Sequence, residues 1–128
     1  MDDIVIFSDS KEELHLIREK MQDYLKNNLH LTLKNNYTVF PSEEGIDFIG
    51  YVIYPSKIRL RKTTAQNLKK KMRKIARKKH INYTDFCCFN SYKGWLSYCT
   101  DKGLEYMYLT PLNKKIYLYY LEEVKHGR

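Results

Sequence analysis

Two adjacent carboxylates, Asp2 and Asp3, stand directly before the apolar run Ile4–Phe7. β-Branched and aromatic residues in such a run predict a buried strand of a covered sheet. Two neighbouring charges at the mouth of a buried strand are costly unless something compensates them, usually a cation. A cation held by the pair is therefore one interpretation. A tight turn before the strand is the other, because Asp is common in turns.

Basic side chains are concentrated in the second part of the chain. Residues 1–56 carry 5 Lys and Arg against 10 Asp and Glu, a net charge of −5, whereas residues 57–128 carry 18 against 5, a net charge of +13. Between Lys57 and Lys79 there are 12 basic residues and no acidic one. This asymmetry favours a polyanion lying along the second part, with nucleic acid as the first candidate and an anionic membrane surface as the second.

The cysteines and histidines do not indicate a metal site. Cys87 and Cys88 are adjacent, Cys99 stands alone, and His80 precedes Cys87 by seven residues, which fits neither zinc-ligand spacing nor a disulfide framework. We expect the thiols to act as small buried apolar groups. The sequence has no apolar run of about 18 residues and no signal-peptide pattern. We therefore expect a cytoplasmic protein.

The first part of the chain predicts strands and one helix. Ser10 with Glu13 forms a capping-box pattern that opens a helix over Lys11–Asn28, whose apolar stripe should lie across a sheet. Alternating or β-branched residues predict further short strands, and Gly50 marks a bend in a hairpin. The predicted strands are Ile4–Phe7, Leu29–Leu33, Tyr37–Phe40, the hairpin Ile46–Tyr54, and Ile58–Leu60.

The second part predicts helices only. A basic helix is expected over residues 64–79, with Thr63 and Gln66 as its capping box and an apolar stripe formed by Ala65, Leu68, Met72, Ile75 and Ala76. Further helices are expected near Asp85–Phe89, Ser91–Thr100 and Leu112–Lys125. A basic helix is often only a solvated face, but this one has no acidic residue to form i,i+4 pairs, so its charges repel one another without a partner.

Several stretches, taken in order, resemble one family. MDDIVIF resembles the YxDD box of reverse transcriptases, without its leading Tyr, and LHLTLKNNYTVFP resembles the palm motif that follows it. GIDFIGYVI is similar to the primer-grip hairpin, IRLRKTT to the entry into the thumb, and NSYKGWLSY to a thumb helix. Over nearly its whole length the chain therefore resembles bacterial reverse transcriptases of the group II intron and diversity-generating retroelement type. The wording of IDFIGY and LRKTT is closer to the latter.

The resemblance implies an α+β fold and an activity. Residues 1–61 would be the C-terminal part of a polymerase palm, with antiparallel strands and one covering helix, and residues 62–128 a helical thumb. The implied activity is RNA-directed DNA polymerisation by two Mg²⁺ ions, with Asp2 as the metal ligand proper and Asp3 as the secondary acid near the primer terminus. The implied partners are an RNA template–DNA primer duplex and deoxynucleoside triphosphates, and no membrane contact is expected.

The resemblance also assigns nucleic-acid contacts. The primer grip would be Phe48, Ile49, Gly50 and Tyr51, where Gly50 either lets the backbone approach the primer phosphates or is a bulge glycine in a bent hairpin. Trp95 with Gly94 is expected to pack thumb helices together, and the alternative is that Trp95 stacks on a base. The duplex backbone would be met at the hinge and along the basic helix by Arg59, Arg61, Lys62, Lys69, Lys70, Arg73, Lys74, Arg77 and Lys78.

The departures from the family limit what the chain is expected to do. The family takes its third metal-binding Asp and its nucleotide-binding residues from segments before the YxDD box, and these have no counterpart here. Tyr37 stands where the palm motif carries a Lys, and Lys34 is a possible substitute. We therefore expect the isolated chain to be inactive in polymerisation. The alternative is a non-catalytic basic nucleic-acid-binding module derived from a reverse transcriptase.

Overall fold

A computed structural model describes residues 3–35 and 37–127, which form two compact units that meet at Pro41 and Ser42 in the sequence. The unit of residues 1–41 contains helix α1, and the unit from Ser42 onward contains three strands and three further α-helices. The predicted α+β class is confirmed at this level. The identity of the parts as polymerase palm and thumb, with a functional boundary near Arg61, stays a prediction.

Helix α1 (Lys11–Leu29) forms as predicted and ends one residue later than expected. The Ser10 side chain accepts a hydrogen bond from the Glu13 backbone N–H at 3.2 Å, which satisfies one of the unpaired donors at the start of the helix. At the other end, His30 takes the left-handed conformation with φ +52° and donates its N–H to the Leu25 carbonyl. No residue of α1 is buried.

The three strands predicted in the first unit are wrong. Residues 4–7, 29–33 and 37–40 form no strand. Leu29 is the last residue of α1, and the other residues of these runs are irregular. The apolar side chains of the first run are exposed, with Phe7 68% accessible. A strand needs a neighbouring strand for its backbone hydrogen bonds, and no described residue of this unit supplies one. Tyr37 instead packs on α1, where the Arg18 guanidinium lies 3.7 Å from its ring centroid.

The sheet lies entirely in the second unit and matches the prediction for residues 46–60. Its strands β1 (Ile46–Phe48), β2 (Tyr51–Ile53) and β3 (Ile58–Leu60) are antiparallel in the order β1-β2-β3. Asp47, Val52 and Arg59 lie opposite one another across the sheet, so they share one face. Leu60 points to the other face and is buried against the helices.

The helices of the second unit depart from the prediction in detail. Helix α2 (Lys62–Arg77) begins without a side-chain cap, so the predicted Thr63 capping box is wrong. The two short helices expected between residues 85 and 100 are one continuous helix, α3 (Tyr83–Ser97), capped by Asn82 and Asp85. Helix α4 (Asn113–Lys125) follows a π-helix (Glu105–Leu109) and a 3₁₀ turn (Thr110–Leu112) that the sequence did not indicate.

The core of the second unit is formed by α2, α3 and the segment that leads into α4. Its most completely buried side chains are Leu68, Met72, Leu96 and Leu109. The loop after α3 also joins this core to the sheet, because the Thr100 N–H donates to the Ile58 carbonyl at 3.0 Å and its hydroxyl accepts from the Ile58 N–H at 2.9 Å. The sheet edge and the helices are thereby held together.

Candidate nucleic-acid interface

Helix α2 has one fully apolar face and one cationic face. Leu68, Met72 and Ile75 are 0%, 1% and 3% exposed, as the predicted stripe requires, whereas Ala76 at the margin of the stripe is exposed. Lys70 and Arg77 project from the opposite side of the helix, and no other described residue pairs with them by hydrogen bond or ion contact. Together with the exposed Lys74 they form a cationic ridge, defined as Lys70, Lys74 and Arg77, that faces solvent.

One flank of this ridge is held by Tyr108 of the π-helix. The Arg73 guanidinium donates a hydrogen bond to the Tyr108 hydroxyl at 3.1 Å and lies 5.4 Å from the ring centroid. The Lys69 ammonium lies 5.9 Å from the same centroid. Cation–π contacts of this kind leave the positive charge unneutralised while restricting the side chain. Arg73 and Lys69 are thus ordered cations at the edge of the ridge.

Lys78 is engaged in an ion pair at the end of α2. Its ammonium contacts both carboxylate oxygens of Asp85 at 2.7 Å, and Asp85 also accepts from the Asn82 backbone N–H at 3.1 Å. Burial alone would raise the pKa of the Asp85 carboxyl, but these hydrogen bonds outweigh it and hold the pKa below its ordinary value. Lys78 therefore joins α2 to α3, and its predicted phosphate contact would compete with this pair.

The predicted hinge cations differ in the same way. Arg61 pairs with Asp47, with its Nε 2.7 Å from the carboxylate Oδ1. Arg59 shares the exposed sheet face with Asp47, and Lys62 is exposed at the start of α2. Arg59 and Lys62 are thus open to an anionic partner, whereas Arg61 already has one.

The hairpin tip has the unusual backbone that the sequence suggested, and tertiary structure supplies the reason. Ile49 has φ +44° and Gly50 has φ +86°, so both central turn residues are left-handed. A Cβ added to Gly50 would lie 2.6 Å from Cη2 of Trp95 and closer still to Cζ3. Phe48 pairs with Tyr51 across this tip, so Gly50 is the second residue of a two-residue turn, and the bulge-glycine interpretation is wrong. An approach of this backbone to primer phosphates stays a prediction.

Trp95 packs on the hairpin and so joins α3 to the sheet. Its ring stacks on that of Tyr51, with centroids 5.3 Å apart, and its carbonyl accepts from the Tyr51 hydroxyl at 2.9 Å. The predicted partner Gly94 has open space around the position of a Cβ. Tyr51 also meets the ring of Tyr98 edge-on, with centroids 6.3 Å apart, so two aromatic contacts hold the predicted primer grip of Phe48, Ile49, Gly50 and Tyr51 against the end of α3.

The predicted catalytic carboxylates are not brought into a metal site by the described residues. Asp2 lies outside them, and Asp3 is exposed in an irregular segment. In residues 3–35 and 37–127 no group of three His, Cys, Asp or Glu side chains is placed to hold a metal ion. The two-Mg²⁺ site at Asp2 and Asp3 stays a prediction. Lys34 is exposed in the loop after α1.

Two features of this surface were missed in the sequence. Tyr108 lies beside the cationic ridge, and Lys71 lies over the ring of Tyr92, 5.5 Å from its centroid, on the other flank of α2. Only Lys71 had a local signal, because it follows Thr64 and Asn67 at helical spacing beside the apolar stripe. The position of Tyr108 depends on the path of the chain after α3.

No protein-family model matches the chain, and searches of curated proteins and of solved structures find no significant match. In the part of the chain that the structure describes, no helix has both the length and the apolar character needed to cross a membrane.

Proposed function

We propose that this chain is the C-terminal palm and thumb part of an RNA-directed DNA polymerase, and that α2 binds the backbone of a template–primer duplex. The observation that carries the proposal is the cationic ridge. A helix with its apolar face fully buried presents Lys70, Lys74 and Arg77 outward, without an acidic residue between positions 57 and 79. Phosphate contacts of this kind position a duplex without reading its sequence.

The hairpin supports the same proposal. Its tip exposes 46% of Ile49, and the Gly50 carbonyl accepts from the Arg61 N–H at 2.9 Å immediately before α2 begins. Arg59 and Lys62 lie on either side of this junction. A duplex lying along α2 would thus meet the exposed cations of the junction at one end of the helix.

The test is the salt dependence of duplex binding. An RNA–DNA duplex should bind the whole chain with little regard to sequence, with each phosphate contact adding about 0.7–0.9 to the slope of log affinity against log salt. Replacing Lys70, Lys74 and Arg77 by Gln should lower this slope by about two to three units. The fold should persist, because Leu68, Met72 and Ile75 are unchanged.

A charge-matched control separates the ridge from bulk charge. Lys11, Lys20 and Lys26 are exposed on α1, and their replacement by Gln removes the same net charge. Equal losses of slope in both triple variants would show that α2 has no special contact with the duplex.

The second candidate function is a non-catalytic nucleic-acid-binding module. It is favoured by one observation: the ridge and the hairpin share one compact unit, from Ser42 onward, that does not contain Asp2 or Asp3. Mg²⁺-dependent incorporation of labelled deoxynucleotide on a primed RNA template discriminates the two. We expect none from this chain alone, because Asp2 and Asp3 supply two carboxylates where the two-metal site of the family uses three. Incorporation that Asp2→Asn abolishes would contradict that expectation.

A further inference from the structure

A groove of about 500 Å³ runs between α2 and α3, on the flank of α2 opposite Tyr108. Thr64, Asn67 and Lys71 line it from α2, one turn apart along the helix. Thr84 and Ser91 add hydroxyls from α3. A hydroxyl, an amide and an ammonium all donate hydrogen bonds, and no acidic side chain lines the groove. Hydroxyls and amides also accept hydrogen bonds, so among the described lining residues it is the charge of Lys71 that favours an anionic group on the ligand.

The groove also carries aromatic surface. Tyr92 lies on the α3 side under the Lys71 ammonium, and Trp95 lines the end of the groove that adjoins the hairpin. Trp95 is 36% exposed although its ring also stacks on Tyr51. Two aromatic rings beside one cation and several neutral donors are the elements that single-stranded nucleic acid requires, since bases stack on rings and phosphates pair with cations.

The dimensions fit one strand. The lining of α2 from Thr64 to Lys71 spans about 10 Å and that of α3 from Thr84 to Trp95 about 16 Å, at about 1.5 Å per helical residue. A stacked strand rises about 3.4 Å per nucleotide, so about three to five nucleotides fit.

We propose that the α2–α3 groove binds a short single-stranded segment of nucleic acid, with Lys71 contacting a phosphate and Trp95 contacting a base at the hairpin end. The inference rests on the proposed function for its class of ligand. It differs in the surface used, because the duplex would lie on the ridge of Lys70, Lys74 and Arg77.

The groove contains its own probes. Trp95 is the single tryptophan of the sequence, so its fluorescence reports on the groove. Cys87 is exposed and lines the groove, Cys88 is half-buried there, and Cys99 is buried in the core. Six-residue oligothymidylate should quench the Trp95 emission and slow the reaction of Cys87 with a chromogenic disulfide, both saturating at the same concentration.

Two variants test the assignment in the whole chain. Lys71→Gln should weaken both effects by about fivefold or more at constant salt, as the loss of a phosphate contact requires. Lys93→Gln removes the same charge from an exposed site on α3 outside the groove and should leave both effects unchanged. Equal weakening by the two variants would overturn the proposal.

Further outcomes separate this inference from the proposed function. If the Lys70, Lys74 and Arg77 triple variant loses duplex binding but retains thiol protection, the groove is a separate site as proposed. In the unsubstituted chain, duplex binding without thiol protection by oligothymidylate refutes the groove alone, and the absence of both duplex binding and thiol protection refutes the proposed function as well. If thymidine monophosphate protects Cys87 to the same extent as the oligomer, the groove is a site for a free nucleotide. That result would overturn the proposal that it binds a single strand.

Discussion

At the scale of single residues, the contact between Trp95 and Gly50 determines how the hairpin sits on the helices. The two residues are far apart in sequence, yet the glycine backbone lies directly against the indole ring. Gly50 also has φ +86°, a conformation that residues with a Cβ rarely adopt. The glycine is therefore required twice, by its own backbone and by its neighbour.

Gly50→Ala should destabilise the chain by about 1–3 kcal/mol through backbone strain, with a further cost from the clash with Trp95. In a Trp95→Ala background the clash disappears and only the strain remains. Urea unfolding of the four proteins of this double-mutant cycle should give a coupling free energy of about 0.5–3 kcal/mol.

Gly94→Ala is the control for that cycle. Gly94 lies within α3 with open space at the Cβ position, so the change should stabilise the helix by about 0.5–1 kcal/mol. A coupling near zero between positions 50 and 95 would show that the ring moves aside without cost.

The ion pair of Asp85 with Lys78 should make the stability of the fold depend on pH. The Asp85 carboxyl has a lowered pKa in the folded chain, so the pair with Lys78 stabilises the fold above the ordinary Asp range and is lost as the pH falls through the lowered value. Asp85→Asn should cost about 1–3 kcal/mol near pH 7. The difference in unfolding free energy between wild type and variant should shrink as the pH falls below about 4. A difference that is constant from pH 7 to pH 2 would contradict the role of the charge.

At the scale of elements, α2 remains helical although the positively charged side chains on its outer face repel one another. The last turn is stabilised from outside the helix by Lys115 of α4, whose ammonium donates to the carbonyls of Ile75 at 3.2 Å and Ala76 at 3.1 Å, and also to that of Lys78. The last carbonyls of a helix lack the usual N–H four residues on, although that of Ile75 also accepts from the Lys78 N–H at 3.1 Å. A cation at this end also interacts favourably with the helix dipole. A basic side chain thus supports a basic helix.

Lys115→Met keeps the aliphatic stem and removes the ammonium, so it should destabilise the chain by about 1–2 kcal/mol. Lys114→Met is the matched control, because Lys114 is exposed and adjacent. Thermal unfolding followed by far-UV circular dichroism should show a lower melting temperature for Lys115→Met and an unchanged one for Lys114→Met. Equal shifts for both variants would assign the effect to net charge.

At the scale of the whole molecule, the two compact units divide the predicted roles unequally. Every cation of the ridge, the hairpin and the groove belongs to the unit from Ser42 onward, whereas residues 1–41 contain α1 and the predicted carboxylates. The second unit also has its own apolar core of α2, α3 and the π-helix segment. It therefore combines the positive charge that the proposed function requires with a core of its own.

A fragment of residues 42–128 should therefore fold and bind an RNA–DNA duplex with the same salt slope as the full chain, within about one phosphate contact. Its far-UV spectrum should lose only the contribution of α1. A fragment that is unfolded, or that binds with a much smaller slope, would show that residues 1–41 take part in the interface.

The sequence by itself determined the features that local periodicity encodes. The bounds of α1 follow from a cap and a 3.6-residue pattern, and the bend at Gly50 and the two-faced character of α2 were likewise predictable from neighbouring residues. The strands predicted before residue 42 were wrong, because a strand depends on a partner that periodicity does not reveal. The apolar pattern alone did not distinguish a strand from an irregular segment.

Only the tertiary structure decided which cations face solvent, which are paired with a carboxylate, and which side chain lies against Gly50. Lys78 and Arg61 are basic residues like Lys70 in the sequence, yet Asp85 and Asp47 pair with them after the chain has folded back. The contact of Trp95 with Gly50 likewise depends on the packing of α3 against the hairpin. The reason is physical: helical pattern arises from residues a turn apart, whereas ion pairing and close approach depend on segments that meet only when the core closes.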